Sequence, residues 1–313
     1  MMLGAFVIVV CASGRASTFS SLTLDFLGRG GPLQGLMAGP GDDSDVVWTP
    51  SGLAFGSAPA AFASYMDYLV DVRGGALGYR ARAGRHSGYG LFMSYLSSGA
   101  ISRTSWDDPV GGTGGTFGYR ELVAGLSGGI SVLRGLSLGT AVKLARQELD
   151  SDVTSGAFFD LSSTYRVHPL RGAGGNVTAA YLSLATRNIE VKRWGLSEGD
   201  APLNTEVGLG VQAADGSVSA GFSFYFARAG RREVRAGFSA LPSEEFEVRL
   251  GYRRRTGHMA DRSGDLPWER GITVGFSVSF GAFWLDYTYE DASPLDNIHR
   301  FALRTRIREL DSN

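Results

Sequence analysis

The chain has 313 residues, a net charge of −1 and a hydrophobic content of 43%, enough for one large or two ordinary domains and without the charge excess that nucleic acid attracts. Glycine supplies 45 residues, about double its usual share of roughly 7%, while lysine is nearly absent and arginine carries almost all the positive charge. Such a composition disfavours helix and suits turns and crowded barrel interiors.

Residues 1–17, MMLGAFVIVVCASGRAS, join an apolar run from Leu3 to Val10 to small residues at Ala12, Ser13, Gly14 and Ala16. They read as an export signal that lacks the usual basic start, with a buried first strand as the competing reading. The sole cysteine, Cys11, lies inside this segment, so the mature chain would have no thiol for disulfides, thiolate metal sites or nucleophilic attack. A lipoprotein signal would also use Cys11, but Val10 stands where a small residue is expected. No later apolar run approaches the roughly 18–20 residues of a spanning helix. A membrane form of this chain is therefore a β-barrel.

Residues Phe26 to Phe55 are rich in Gly, Pro and Asp and carry no alternation, so 18–58 reads as a segment before the barrel that plugs or borders its lumen. Its cluster Asp42, Asp43 and Asp45 has the carboxylates a hard cation takes but lacks the Gly and bidentate Glu of a known calcium loop. A solvated acidic turn is the plainer reading, and no metal or other cofactor is assigned.

From residue 59 to 308 the chain reads as strand after strand: 59–70, 72–83, 87–101, 118–132, 134–148, 152–168, 173–187, 203–213, 217–227, 231–241, 244–255, 270–281, 282–291 and 297–307. Most are about ten residues or longer, the length that crosses a bilayer at a tilt and more than globular sheets usually need. Residues 309–313 form a short tail.

Period-two alternation puts one apolar face on each strand. Ile272, Val274, Phe276, Val278 and Phe280 oppose Thr273, Gly275, Ser277 and Ser279; Val218, Ala220, Phe222, Phe224 and Phe226 oppose Ser219, Gly221, Ser223 and Tyr225. Near the end, Phe246, Val248, Leu250 and Tyr252 oppose Glu245, Glu247, Arg249 and Arg253, and Phe301, Leu303 and Thr305 oppose Arg300, Arg304 and Arg306. In a soluble sandwich the apolar face points inward; in a membrane barrel it meets lipid and the polar face lines the lumen. Alternation alone does not choose.

The connections do more. Those at 102–117, 188–202 and 256–269 are long and follow odd-numbered strands, whereas Leu133 to Arg134, Ala214 to Gly216 and Pro242 to Ser243 are short and follow even-numbered ones. Sorting by parity places the long loops on one rim, as in outer-membrane barrels with long external loops and short periplasmic turns. Tyr65, Tyr68, Tyr79, Tyr89, Tyr95, Trp284, Tyr287 and Tyr289 fall near strand ends, where interfacial girdles lie, although strands favour these residues in any case. The expected fold is a closed antiparallel up-and-down transmembrane β-barrel of about fourteen strands with an N-terminal plug, multi-pass in the bacterial outer membrane, with lipid as a partner and no nucleic acid. Glu245, Glu247, Arg249, Arg253, Arg300, Arg304 and Arg306 are its lumen-facing charges, for which Asp42, Asp43 and Asp45 offer partners.

The motif GDDSDVVWTPSGLA, through Asp42, Asp43, Thr49, Pro50, Ser51, Gly52 and Leu53, resembles the Asn-Pro-Ala-Gly-Leu stretch of FadL-like barrels and of the PorV/PorQ family of type IX secretion. Thr49 and Ser51 depart from its Asn and Ala. The stretch Gly115 to Leu149 is similar to the PorV/PorQ pattern of Gly-x-Phe, strand, tight turn and a strand with Gly139 and Lys143. AFFDLSSTY fits Asp-Leu-Gly-x-x-Tyr with Ser162 for Gly, RNIEVKRWG and APLNTEVGLG fit with departures at Glu190 and Ala201, and the last hairpin resembles the family's closing one through His299 and Arg300. The resemblance implies a fourteen-stranded barrel, a non-enzymatic role in binding or handing on secreted cargo, and a translocon, attachment complex or cargo protein as partner. It also implies a binding role for Asp42, Asp43, Asp45, Thr49, Pro50 and Gly52.

Catalytic chemistry is not visible. GLSGG, Gly125 to Gly129, matches G-x-S-x-G but lies inside an alternating strand, so Ser127 is no nucleophile elbow. His86, His168, His258 and His299 have no ligand spacing, and GGTGG at 111–115 lacks the Lys of a phosphate loop. Three readings stay open: a PorV/PorQ-like secretion component, a FadL-like transporter of hydrophobic molecules, and an exported soluble β protein. A transporter should have an apolar pocket in the lumen and a gap in its wall, and the polar inward residues inferred above count against it.

Overall fold

The computed structural model describes residues 18–29, 40–56, 58–69, 71–103, 114–171, 177–195, 199–213, 216–228, 230–256, 271–291 and 297–306. The expected signal at 1–17 and tail at 309–313 lie outside these residues. Fourteen strands run in chain order: β1 (Ala60–Asp67), β2 (Arg73–Arg82), β3 (Ser87–Ser102), β4 (Thr116–Leu133), β5 (Leu136–Leu149), β6 (Asp152–Arg171), β7 (Val177–Trp194), β8 (Asn204–Gln212), β9 (Val218–Ala227), β10 (Arg232–Ser243), β11 (Phe246–Thr256), β12 (Ile272–Phe280), β13 (Phe283–Asp291) and β14 (Asn297–Arg306). Each pairs antiparallel with its sequence neighbours, and β1 pairs with β14, from Ala60 opposite Arg306 to Asp67 opposite His299, closing the barrel. Closure leaves no sheet edge with unpaired backbone groups, the condition for strands in hydrocarbon.

The apolar face of the alternation points out. Phe222, Phe276 and Leu303, which a sandwich would gather at its centre, are 39%, 42% and 48% exposed. Their strand neighbours Ser223, Ser277 and Arg304 are buried inside. The outer surface is thus a band of Leu, Val and Phe suited to acyl chains.

Three details differ from the sequence reading. Strand β7 does not stop at 187; it runs to Trp194 because register shifts against β6 at Ala157/Phe158 and Phe159/Leu161 absorb extra residues and let pairing continue to Ser155. At that irregularity Arg187 and Asn188 are both buried, and Asn188 has φ of 60°, a bulge that turns two successive side chains inward. Glu245 lies in the exposed turn between β10 and β11 rather than in a strand, since the β10 bulge between Ala240 and Ser243 shifts the register there. Trp284 is no outward girdle residue. It occupies the inward phase of β13 with Asp286 and Thr288, beneath the Arg304 guanidinium.

Residues 18–29 and 40–56 contact inward-facing side chains of the barrel. Three short 3-10 turns, Ser20–Thr23, Asp43–Val46 and Pro50–Phe55, make up their regular structure. The last lies on a bed of glycines: a β-carbon at Gly88, Gly129 or Gly139 would come within 2.2, 2.3 and 2.1 Å of Leu53 O, Pro50 O and Ser51 N. Part of the glycine excess is therefore clearance for this turn.

Candidate functional site in the barrel lumen

The acidic motif is an anchored turn. Asp42 caps the turn Asp43–Val46, accepting from Ser44 N at 3.0 Å, and pairs with Arg29 at 3.1 Å. Asp43 pairs with Arg80 of β2 at 2.6 Å and Arg304 of β14 at 3.4 Å. Asp45 accepts from Gly41 N at 2.6 Å and Asp42 N at 3.1 Å. Thr49 is buried ahead of the turn Pro50–Phe55, whose first residue is Pro50, a position where the missing N–H costs no hydrogen bond. Two of the departures from the resembled motifs, Ser51 and Ser162, meet: Ser51 N donates to Ser162 Oγ at 2.9 Å, and Ser51 Oγ is 2.8 Å from Thr164 Oγ1.

The acids of this segment are shifted in opposite directions. Burial and the Asp42 charge push the Asp45 pKa well above the usual carboxylate range, against the donated N–H bonds. At Asp42 burial has the same tendency, but Arg29 and Arg304 outweigh it and hold the carboxyl below its ordinary value. Asp25 is raised by burial, with Arg300 opposing.

The expected lumen charges form a network with residues that the sequence reading passed over. Arg29 Nη1 lies 2.9 Å from Glu247 and 3.3 Å from Asp286. Asp286 also pairs with Arg304 and, at 3.6 Å, with Arg249. Glu290 is held by Arg253 and by Arg300, the latter at 2.8 Å. Further round the wall Arg187 donates to Trp48 O at 2.6 Å and pairs with Glu206 at 2.9 Å, and Lys143 pairs with Asp160 at 2.6 Å. Arg187, Glu206, Asp286 and Glu290 occupy the polar phase of their strands, so alternation was the signal for them. Arg29 had none. The side chain of Arg306 lies outside the described residues; its backbone pairs with Ala60.

The lumen is divided. The charges above come mainly from β7 to β14, whereas Phe62, Phe92, Leu96, Val123 and Phe158 of β1 to β6 face inward and pack with Phe19, Leu22, Phe26, Leu27, Val46 and Leu53 of the N-terminal segment. Between them lies a cavity of about 20 Å³ lined by Leu22, Phe26, Trp48, Phe92, Val123 and Lys143 among others, room for a single water. On the same flank the β3–β4 ladder is interrupted between Ser97 and Ala100, and Ser98 Oγ accepts from Tyr119 N at 3.1 Å in place of the backbone.

Among the described residues, the candidates for catalysis in the sequence are not brought together. Ser127 sits within β4 and donates to Gly90 O at 3.3 Å. His299 faces out beside Tyr287, and His258 lies outside the described residues. Among the described residues no three His, Cys, Asp or Glu side chains are grouped to hold a metal ion.

No family model matches the chain, and no curated protein sequence does. Solved structures do match in fold. The toluene transporter TbuX of Ralstonia pickettii superposes with a TM-score of 0.60 at 11% identity, over 93% of this chain and 100% of that one. The toluene transporter TodX of Pseudomonas putida gives 0.53 at 12% identity, over 90% and 97%. A Pseudomonas aeruginosa FadL homologue gives 0.51 at 11%, over 91% and 98%. These neighbours are two toluene transporters and a FadL homologue, so the finer resemblance to PorV/PorQ has no counterpart among them. The chain is a closed fourteen-stranded antiparallel β-barrel whose fold is similar to those of these FadL-like proteins.

Proposed function

We propose that this protein is a channel for small hydrophobic molecules across the outer membrane. One observation carries the reading: an apolar sector inside the lumen, walled by Phe62, Phe92, Val123 and Phe158 and filled from within by residues of the 18–56 segment. Inward Phe62 of β1, Phe92 of β3 and Phe158 of β6 give this side of the lumen apolar walls, and desolvated apolar walls with a few polar groups are what a hydrophobic ligand selects. The 18–56 segment acts as the plug in this reading, its Arg29, Asp42 and Asp43 pairs fixing it on the charged flank while the apolar flank carries the ligand. The fold shared with toluene transporters supports the same class of cargo.

The test is uptake of radiolabelled toluene and of a long-chain fatty acid by cells lacking endogenous channels, with and without this protein at equal outer-membrane levels. Faster uptake of either supports the proposal. Unchanged uptake of both, with secretion-machinery or cargo proteins recovered in a detergent pull-down, would replace it with the secretion reading.

A further inference from the structure

Among the described residues, the outward strand positions of the barrel carry charge near one rim and none near the other. Connections after odd-numbered strands include the long ones, and both barrel termini lie on the other rim, so the odd rim is external. Near it, Arg120 of β4, Arg146 of β5 and Lys192 of β7 occupy outward, exposed positions, and Arg73, Arg232 and Arg254 do so further round. Near the periplasmic rim the described outward strand side chains are uncharged, for example Tyr89, Ile130, Leu138, Val211 and Phe280.

The first three cations sit directly on the apolar band. Arg146 pairs across the ladder with Leu122, Arg120 with Glu148, and Lys192 with Ala157, with Leu144 and Val191 exposed beside them. Arg146 is pinned to Glu148 at 2.8 Å. Among the described residues no acid lies within ion-pairing distance of Arg120 or Lys192; Lys192 instead lies over the Trp194 ring at 5.3 Å. Beside Arg120 opens a hollow of about 510 Å³, lined by Ser97, Gly99, Gly118, Arg120, Glu148 and Asp150. The same bulge makes it: Gly99, at φ of 68°, has open space where a β-carbon would stand.

We infer that this rim binds the phosphorylated headgroup of an outer-leaflet glycolipid, with Arg120, Arg146 and Lys192 on the phosphates and the acyl chains along Leu122, Leu144 and Val191. The occupant follows from the juxtaposition. A free anion has no use for the apolar residues below, a phospholipid of the inner leaflet would meet uncharged outward strand positions near the periplasmic rim, and a ligand that spans both needs an anionic head joined to acyl chains. Cations near an anionic membrane surface add to binding individually, and the guanidinium fork suits phosphate oxygens. The inference rests on the barrel's place in the membrane and not on transport, so failure of toluene or fatty acid uptake leaves it standing.

The experiment uses the full-length protein, delipidated in detergent and titrated with bis-phosphorylated lipid A, with the same lipid after phosphate removal, and with inorganic phosphate as competitor. The bis-phosphorylated lipid should bind at least about tenfold more tightly than the dephosphorylated one. Arg120→Gln, Arg146→Gln and Lys192→Gln together should abolish that preference, whereas Arg82→Gln with Arg85→Gln, on the periplasmic turn, should keep it. Wild-type binding should weaken as salt is raised, which tests the idea even if the triple variant fails to fold. Equal affinity for both lipids, salt-independent binding, an unchanged preference in a folded triple variant, or displacement by equimolar inorganic phosphate would overturn it.

Discussion

Gly52 lies against the carboxylate of Asp45: a β-carbon at position 52 would fall 2.2 Å from Asp45 Oδ2. The acidic turn and the Pro50–Phe55 turn are therefore packed as one unit, with Asp45 bridging back to Gly41 and Asp42. Gly52→Ala should force the two turns apart and cost about 1–3 kcal/mol, the range for overpacking. The strand ladder does not depend on this contact, so the barrel should still assemble. Thermal melting in detergent and limited proteolysis of the 18–56 segment check it; a variant with wild-type melting and protection contradicts the packing.

The same unit sets a pH dependence with two opposed parts. Asp42 has a folded pKa below its ordinary 3.8, so its contribution is complete above that value and is lost as pH falls through the folded pKa. Asp45 has a folded pKa well above 3.8, so its contribution is present below that value and is lost as pH rises toward the folded pKa. Asp45→Asn should flatten the fall in melting temperature on the alkaline side, and Asp42→Asn should flatten the fall on the acid side. Melting curves from pH 3 to 9 would show identical slopes in all three proteins if neither carboxyl titrates this way.

Asp286 joins Arg29 to Arg249 and Arg304. Removing it as Asp286→Ala leaves Arg29, Arg249 and Arg304 with Asp42, Glu247 and Asp43 as their remaining partners, and loss of one partner from such a buried set costs about 3–5 kcal/mol. Adding Arg304→Ala should recover part of the loss, because one uncompensated charge goes with it. A double variant less stable than Asp286→Ala alone, measured by urea unfolding in detergent, argues against the network.

Phe92 lines the apolar cavity and covers Gly125, where a β-carbon would lie 2.4 Å from its ring. Phe92→Ala should cost about 3 kcal/mol and speed uptake of hydrophobic molecules several-fold by widening the cavity. Val123→Trp should fill the cavity and slow uptake. Rates indifferent to both substitutions would remove this sector from the route.

Because period two and turn composition are local properties of a chain in extended conformation, the sequence by itself determined the strands, their number, their outward faces and the long connections after β3 and β11, though not the one expected at 188–202, half of which is strand β7. Fourteen segments read from alternation match fourteen strands, with β7 the main misjudged end: a bulge at Arg187 and Asn188 leaves no periodic mark. Closure of β1 on β14, the pairing of Arg29 with Glu247 across 218 positions, and the apolar sector of the lumen were decided only by tertiary structure. Phe62, Phe92 and Phe158 show why. Each lies in a strand where apolar residues occupy both phases, and only the curvature of a closed sheet, with residues 18–29 and 40–56 packed against its inner face, determines which of them meets lipid and which meets the interior.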